Sequence, residues 1–158
     1  IYSSLAYQRG GMARTFPKEW LEEINRYFLK PDLVFFLDIE PEEGLKRIGK
    51  GQRIHDDKFF EDLETQKLIR DAYYEVLNLN KPIFNFFEKE FLPEVLLPKL
   101  KALSAVNNVT VVSIDASLDQ NTVQGIIQEV MRRFLKFKEV HKKRQRLKPR
   151  ELLLMLSN

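Results

Sequence analysis

Two unbroken apolar runs constrain this chain more than any other feature. Leu33-Val34-Phe35-Phe36-Leu37-Asp38-Ile39 and Val109-Thr110-Val111-Val112-Ser113-Ile114 are rich in β-branched and aromatic residues and lack the alternation of a half-exposed strand. Such runs fit strands covered on both faces, as in a parallel sheet. Each is followed closely by a helix signal. Pro41-Glu42-Glu43 gives a proline-and-acid start, with Leu45 and Ile48 facing inward until Gly49-Lys50-Gly51; Val123, Ile126, Ile127, Val130 and Phe134 mark the second helix. Strand feeding helix is the βα rhythm, so the fold class is α/β, a parallel sheet flanked by helices. Two strands alone would leave unpaired edges and an uncovered face. Further strands are therefore expected before Ile1, in a chain that starts without Met.

Helices fill most of the remainder. One starts near Ser3 and ends at Gly10-Gly11. A second opens at Pro17, carries Trp20, Ile24, Tyr27 and Phe28 at helical spacing with Trp20 in the core, and ends near Lys30-Pro31. A third, long helix is expected from Asp57 to about Leu79, on a stripe of Phe60, Leu63, Ile69, Tyr73, Val76 and Leu77, closed by Asn78 to Pro82. Ile83 to Leu103 is apolar but broken by Pro93 and Pro98, which predicts two or three short helices. With 44% apolar residues and 18 aromatics the chain can bury one sizeable core, and no apolar run approaches the roughly 20 residues that cross a bilayer. Location in the cytoplasm is the expectation.

Composition also narrows the chemistry. Without Cys there are no disulfides, thiolate metal sites or thiol nucleophiles, and His55 and His141 cannot form a multi-histidine cage. Oxygen, guanidinium and ammonium groups remain. They cluster in three places near the carboxyl ends of the predicted strands, where ligands of open α/β sheets sit. Ser3, Ser4, Tyr7 and Gln8 share one helix face, with Leu5 and Ala6 turned away, so hydroxyl and amide groups lie beside a ring that can pack on a sugar. The same pattern also suits a helix capped by Ser3 with a half-buried tyrosine. Lys46, Arg47, Lys50 and Arg53 spread over a glycine-broken loop before His55-Asp56-Asp57. A basic lid could neutralise charge developing on transferring phosphoryl oxygens, Arg53 through its two-pronged guanidinium, although a solvated loop would read alike. Asp115-Ala116-Ser117 ends the last strand with small residues that let a flat ring approach the backbone, or that merely form a turn and cap. Asp38 has a position suited to metal or proton work, yet between Leu37 and Ile39 it is better read as structural, answering a nearby backbone or basic group.

In this order the pieces resemble thymidylate kinase, a family of P-loop nucleoside monophosphate kinases. Its hallmark runs Asp-Arg-Tyr, two free positions, Ser, a small residue, any residue, Ala, Tyr or Phe, and a small polar residue; Ser3-Ser4-Leu5-Ala6-Tyr7-Gln8 matches the later part. The likeness continues through Gly10-Gly11, through Lys30-Pro31-Asp32 into Leu33 to Asp38, through Pro41 to Arg47, and through Ser113 to Ser117, covering roughly residues 1–135. It implies the C-terminal part of a P-loop kinase fold, with the Asp-Arg-Tyr, the P-loop and the first strands lying before Ile1 in a longer parent enzyme, the fragment alone being inactive. The activity implied is transfer of the γ-phosphoryl group of ATP to dTMP, giving dTDP for dTTP biosynthesis, with Mg²⁺ bridging the phosphates. Ser3, Ser4, Tyr7 and Gln8 would bind dTMP, Tyr7 beneath the deoxyribose. Arg47, Ala116 and Ser117 would bind ATP, and Arg53, in a lid over about residues 47–58, would be catalytic. The family's habit also implies a homodimer, and residues 83–103 or 150–156 could supply the contact.

Two other readings remain. A deoxynucleoside kinase would share sheet and lid but carry a different acceptor motif. A nucleic-acid-binding module could use the basic tail of residues 136–158, whose eight Lys or Arg face two Glu while residues 1–135 carry 18 basic against 21 acidic groups. The Lys142-Lys143-Arg144-Gln145-Arg146 run has few interleaved aromatics, and Leu152-Leu153-Leu154-Met155-Leu156 after it looks like a packing segment. Nucleic acid is therefore the weaker expectation.

Overall fold

A computed structural model of the chain describes residues 2–11, 17–49, 62–80, 100–106 and 109–146. In chain order the elements are α1 (Tyr2–Gly10), α2 (Lys18–Ile24), β1 (Leu33–Asp38), α3 (Pro41–Gly49), α4 (Leu63–Val76), β2 (Leu100–Val106), β3 (Val109–Asp115) and α5 (Gln120–Arg146).

Strand β3 is central. β1 runs parallel to it from Leu33↔Thr110 to Asp38↔Asp115, and β2 lies antiparallel on its other edge, from Val106↔Val109 back to Leu100↔Ile114. Paired on both edges, β3 needs apolar residues on both faces, which its unbroken run supplies. Val112 and Ile114 point to one layer, where Ile126, Val130 and Phe134 of α5 cover them together with Leu103. Val111 points to the opposite layer, against Leu77 and Leu79 after α4, with Val34, Phe36, Tyr73 and Tyr74 around it. The result is an α/β layering in which each fully covered aliphatic side chain contributes on the order of 2 kcal/mol.

The sheet is mixed rather than wholly parallel, because β2 occupies residues where short helices were expected. Residues 81–99 lie outside the described residues, but Leu100 to Leu103 are strand, and Leu103 and Ser104 are buried. Ser104 Oγ donates to Leu77 O at 2.7 Å, fixing β2 to the end of α4.

The helix after Pro17 is also shorter than expected. Asn25 is the C-cap of α2, its backbone still in the right-handed helical region (φ −95°, ψ −1°), and its Nδ2 donates to Leu21 O at 2.7 Å, answering a carbonyl at the helix end. Leu21, 1% exposed, is the residue that packs inward; Trp20 is 47% exposed and is not core, and Tyr27 and Phe28 lie exposed beyond the helix.

Helix α4 begins at Leu63, where Asp62 accepts from the Thr65 N–H at 2.9 Å; residues 57–61 lie outside the described residues. At its other end Asn78 takes the left-handed conformation (φ 55°), and the N–H groups of Leu79 and Asn78 donate back to Tyr74 O and Glu75 O. That is a Schellman ending with asparagine where glycine is commoner. Helix α5 is capped by Asp119, which accepts from Thr122 N–H at 3.0 Å, and continues unbroken past residue 135 into the basic segment. Lys138 pairs there with Asp32. No helix among the described residues is long and apolar enough to cross a membrane.

Candidate functional site

Since β1 and β3 are parallel, their carboxyl ends share one edge of the sheet, and Asp38 and Asp115 stand there in register. The clefts on the described residues include one toward each end of the sheet. The larger, about 640 Å³, reaches from Tyr2 and Arg9 to Val106, at the edge where β3 begins. The smaller, about 240 Å³, lies beyond the end of β1 between Tyr7, Phe36, Asp38, Gln66, Arg70 and Tyr73. Position outweighs size here, because ligands of such sheets bind beyond the carboxyl ends.

Helix α1 reaches this cleft by lying unusually close to α4. A Cβ on Gly10 would fall 2.4 Å from Ile69 Cα and 2.6 Å from Leu68 O, so only glycine permits the approach. Leu5 and Ala6 are buried, and Ser3, Ser4 and Tyr7 face outward. The Tyr7 ring meets Tyr73 edge-on at 6.2 Å, and Phe36 lies 5.1 Å from Tyr73. Ser3 hydrogen-bonds the Tyr73 hydroxyl, while burial pushes that hydroxyl's pKa up. Gln8 is half-buried, and its Oε1 has no hydrogen-bond partner among the described residues. Of the four predicted acceptor residues, Tyr7 lines the cleft.

The floor is a charge network centred on Asp38, which is fully buried. Arg70 Nε donates to Oδ1 at 2.8 Å and Nη2 to Oδ2 at 3.1 Å; the Tyr74 hydroxyl donates to Oδ2 at 2.7 Å, and Lys101 Nζ lies 3.0 Å from it. Burial alone would raise the Asp38 pKa, but these donors outweigh it and hold the carboxyl below its ordinary value. Burial and the neighbouring carboxylate push Tyr74 up to about 12. Arg70 also grips Glu40, through Nη2 at 2.8 Å.

On the β3 side, Arg47 Nη1 donates to Ala116 O at 2.8 Å and Nη2 to Ser117 O at 3.2 Å, while Nε meets Glu43 at 3.1 Å. Asp115 Oδ1 accepts from Ser117 N–H at 2.9 Å. Two clusters that lie some 70 positions apart in the chain, Arg47 and the Ala116-Ser117 turn, are thus one unit. Arg53, Lys50 and His55 lie outside the described residues.

The family model described as thymidylate kinase matches residues 1–95, which is more than half of the chain. The chain belongs to the thymidylate kinase family. It is 38% identical over 78 residues to a probable thymidylate kinase of Methanococcus maripaludis strain C7, covering 49% of this chain and 36% of the relative. To a probable thymidylate kinase of Thermococcus onnurineus strain NA1 it is 43% identical over 74 residues, 46% of this chain and 33% of the relative. To the thymidylate kinase of Clostridium novyi strain NT it is 37% identical over 103 residues, 56% of this chain and 49% of the relative. The chain therefore spans between a third and a half of the curated thymidylate kinases it matches. No solved structure matches it.

Three residues of this candidate site carry no assignment in the sequence reading. Arg70 and Tyr74 sit four apart on α4, a spacing that puts a cation and a hydroxyl on one face beside an apolar stripe, and that signal was available. Lys101 has no such signal, because it falls in the stretch from Ile83 to Leu103 whose prolines predict short helices.

Proposed function

We propose that the protein carrying this sequence transfers the γ-phosphoryl group of ATP to dTMP, giving dTDP. One observation carries the reading: in a member of the thymidylate kinase family, Tyr7 of the Ser-Ser-Leu-Ala-Tyr-Gln run overhangs an aromatic cleft at the carboxyl end of a parallel strand. Tyr7 and Tyr73 supply ring faces and edges for a deoxyribose and a pyrimidine. Ser3 and Ser4 supply hydroxyls on the same face, and Gln8, whose buried Oε1 has no hydrogen-bond partner among the described residues, follows Tyr7 on the helix. Arg47, through its grip on the Ala116 and Ser117 carbonyls, shapes the turn that would border the adenine of ATP.

Mg²⁺ accompanies ATP in this reading. The described residues do not build it a ligand set: no three His, Asp or Glu side chains converge among them, and Asp38 is already engaged by Arg70, Tyr74 and Lys101. An ion of this kind commonly keeps its waters and rides on substrate phosphates, with few protein ligands. The deoxynucleoside-kinase and nucleic-acid readings lose ground to the family match. A cytoplasmic homodimer is the assembly the family resemblance suggests.

The test is acceptor-specific ATP consumption by the full-length natural protein. With dTMP, turnover is expected well above that with dCMP or thymidine; equal rates on thymidine would replace the monophosphate reading with the nucleoside one. Arg53→Ala should lower kcat by about 100-fold or more and change the KM for dTMP little, if its charge acts on the transferring group in the transition state.

A further inference from the structure

We infer that Lys101 is a positioning residue that balances the carboxylates at the strand ends, so that an anionic nucleotide can approach them; the inference rests on the nucleotide-kinase reading. Asp38 and Asp115 end the paired strands β1 and β3 in register, and Glu40 follows two residues after Asp38. These three carboxylates stand along the edge where a phosphate-bearing ligand would sit, joined through Arg70 and Lys101 rather than converging on one point. Like charges opposite each other on neighbouring strands oppose both folding and the arrival of further negative charge.

Among the described residues two cations answer them. Arg70 is committed to Asp38 and Glu40 on the α4 side. Lys101 reaches across from β2, with Nζ 3.0 Å from Asp38 Oδ2 and 3.9 Å from Asp115 Oδ1. Among the described residues it is the cation that meets both strand ends. It comes from the antiparallel strand, beyond the 1–95 span that the family model matches. Its ammonium also joins the two halves of the site. Asp115 holds the turn pinned by Arg47, and Asp38 holds Arg70 at the floor of the Tyr7 cleft.

Replacing Lys101 by Met keeps an apolar stem along the strand but leaves three carboxylates against one guanidinium. ATP should then bind about fivefold more weakly to the full-length protein at low ionic strength, and the deficit should shrink as salt screens the uncovered charge. Lys101→Arg should restore binding. So should Asp115→Asn added to Lys101→Met, because the amide oxygen can still accept from Ser117 N–H while the extra negative charge is gone. Asp115→Asn alone, which does not depend on the Lys101 variant folding, should tighten ATP about twofold at low salt.

The experiment is a calorimetric titration of ATP into wild type and these four variants at low and high salt. Weakening by Lys101→Met that shrinks with salt and is rescued by the second substitution is the expected result. A deficit indifferent to salt and unrescued would show that Lys101 only packs β2, and unchanged or weaker binding by Asp115→Asn alone would equally overturn the inference. Wild-type phosphorylation of dTMP tests the kinase reading separately, so a failure of one is distinguishable from a failure of the other.

Discussion

Asp38 is the residue on which most of the site's electrostatics turns. Its place at the end of a strand and a structural role for it, toward backbone or a basic group, are readable from sequence, but Arg70, Tyr74 and Lys101 meet it only after α4 and β2 have packed. A folded carboxyl whose pKa is lowered contributes stability that is whole above the ordinary value of 3.8 and is lost as pH falls through the folded one. Tyr74 works in the opposite sense. Its pKa rises from 10.0 to about 12, so its contribution is whole below pH 10 and disappears as pH climbs through about 12. Tyr74→Phe should therefore cost about 1–2 kcal/mol at neutral pH and flatten the alkaline loss of stability, as read from urea unfolding across the alkaline range. Parallel losses in wild type and variant would remove Tyr74 from that role. Arg47→Ala should raise the KM for ATP by about tenfold with little effect on that for dTMP, since it frees the Ala116 and Ser117 carbonyls without touching the Tyr7 cleft. Steady-state kinetics with each nucleotide varied in turn would decide it.

Among the elements, α1 depends most on a single contact. Gly10→Ala must push α1 from the α4 backbone at Ile69, because no flexible side chain is there to yield. A loss of about 2–4 kcal/mol is expected, with weaker dTMP binding because Tyr7 moves with the helix; thermal unfolding and dTMP titration of the same variant would test both. The helix boundary at Gly10 is legible because glycine punctuates the pattern, and β3 is legible because a central strand covered by helices must be apolar on both faces. β1 is legible as a strand but not as one buried on both faces: it is the edge strand of the described sheet, Leu33 to Phe36 are partly buried and Leu37 is 48% exposed. β2 is not legible. Its Leu100-Lys101-Ala102-Leu103-Ser104 mixes charge and small residues without a clean period, and its strand state comes from pairing with β3 and from the Ser104 bond to Leu77. Nor is the end of α2, where the apolar residues Trp20, Tyr27 and Phe28 suggest a buried stripe but Asn25 closes the helix early.

At the scale of the whole molecule, the α/β class and the family follow from motif order, and the distance between the clusters is closed by topology. Parallel pairing of β1 with β3 brings Asp38 beside Asp115 and sets Arg47 against the Ala116-Ser117 turn, contacts that no local spacing announces. The same pairing puts the Tyr7 cleft and the Arg47 turn on one edge, where the proposed transfer between two nucleotides would bring them together. The crystal structure of the full-length protein with dTMP bound measures this directly. The deoxyribose is predicted to lie on the Tyr7 ring with Tyr73 beside it; dTMP seated away from Tyr7, at the cleft lined by Tyr2 and Arg9 or elsewhere, would contradict it.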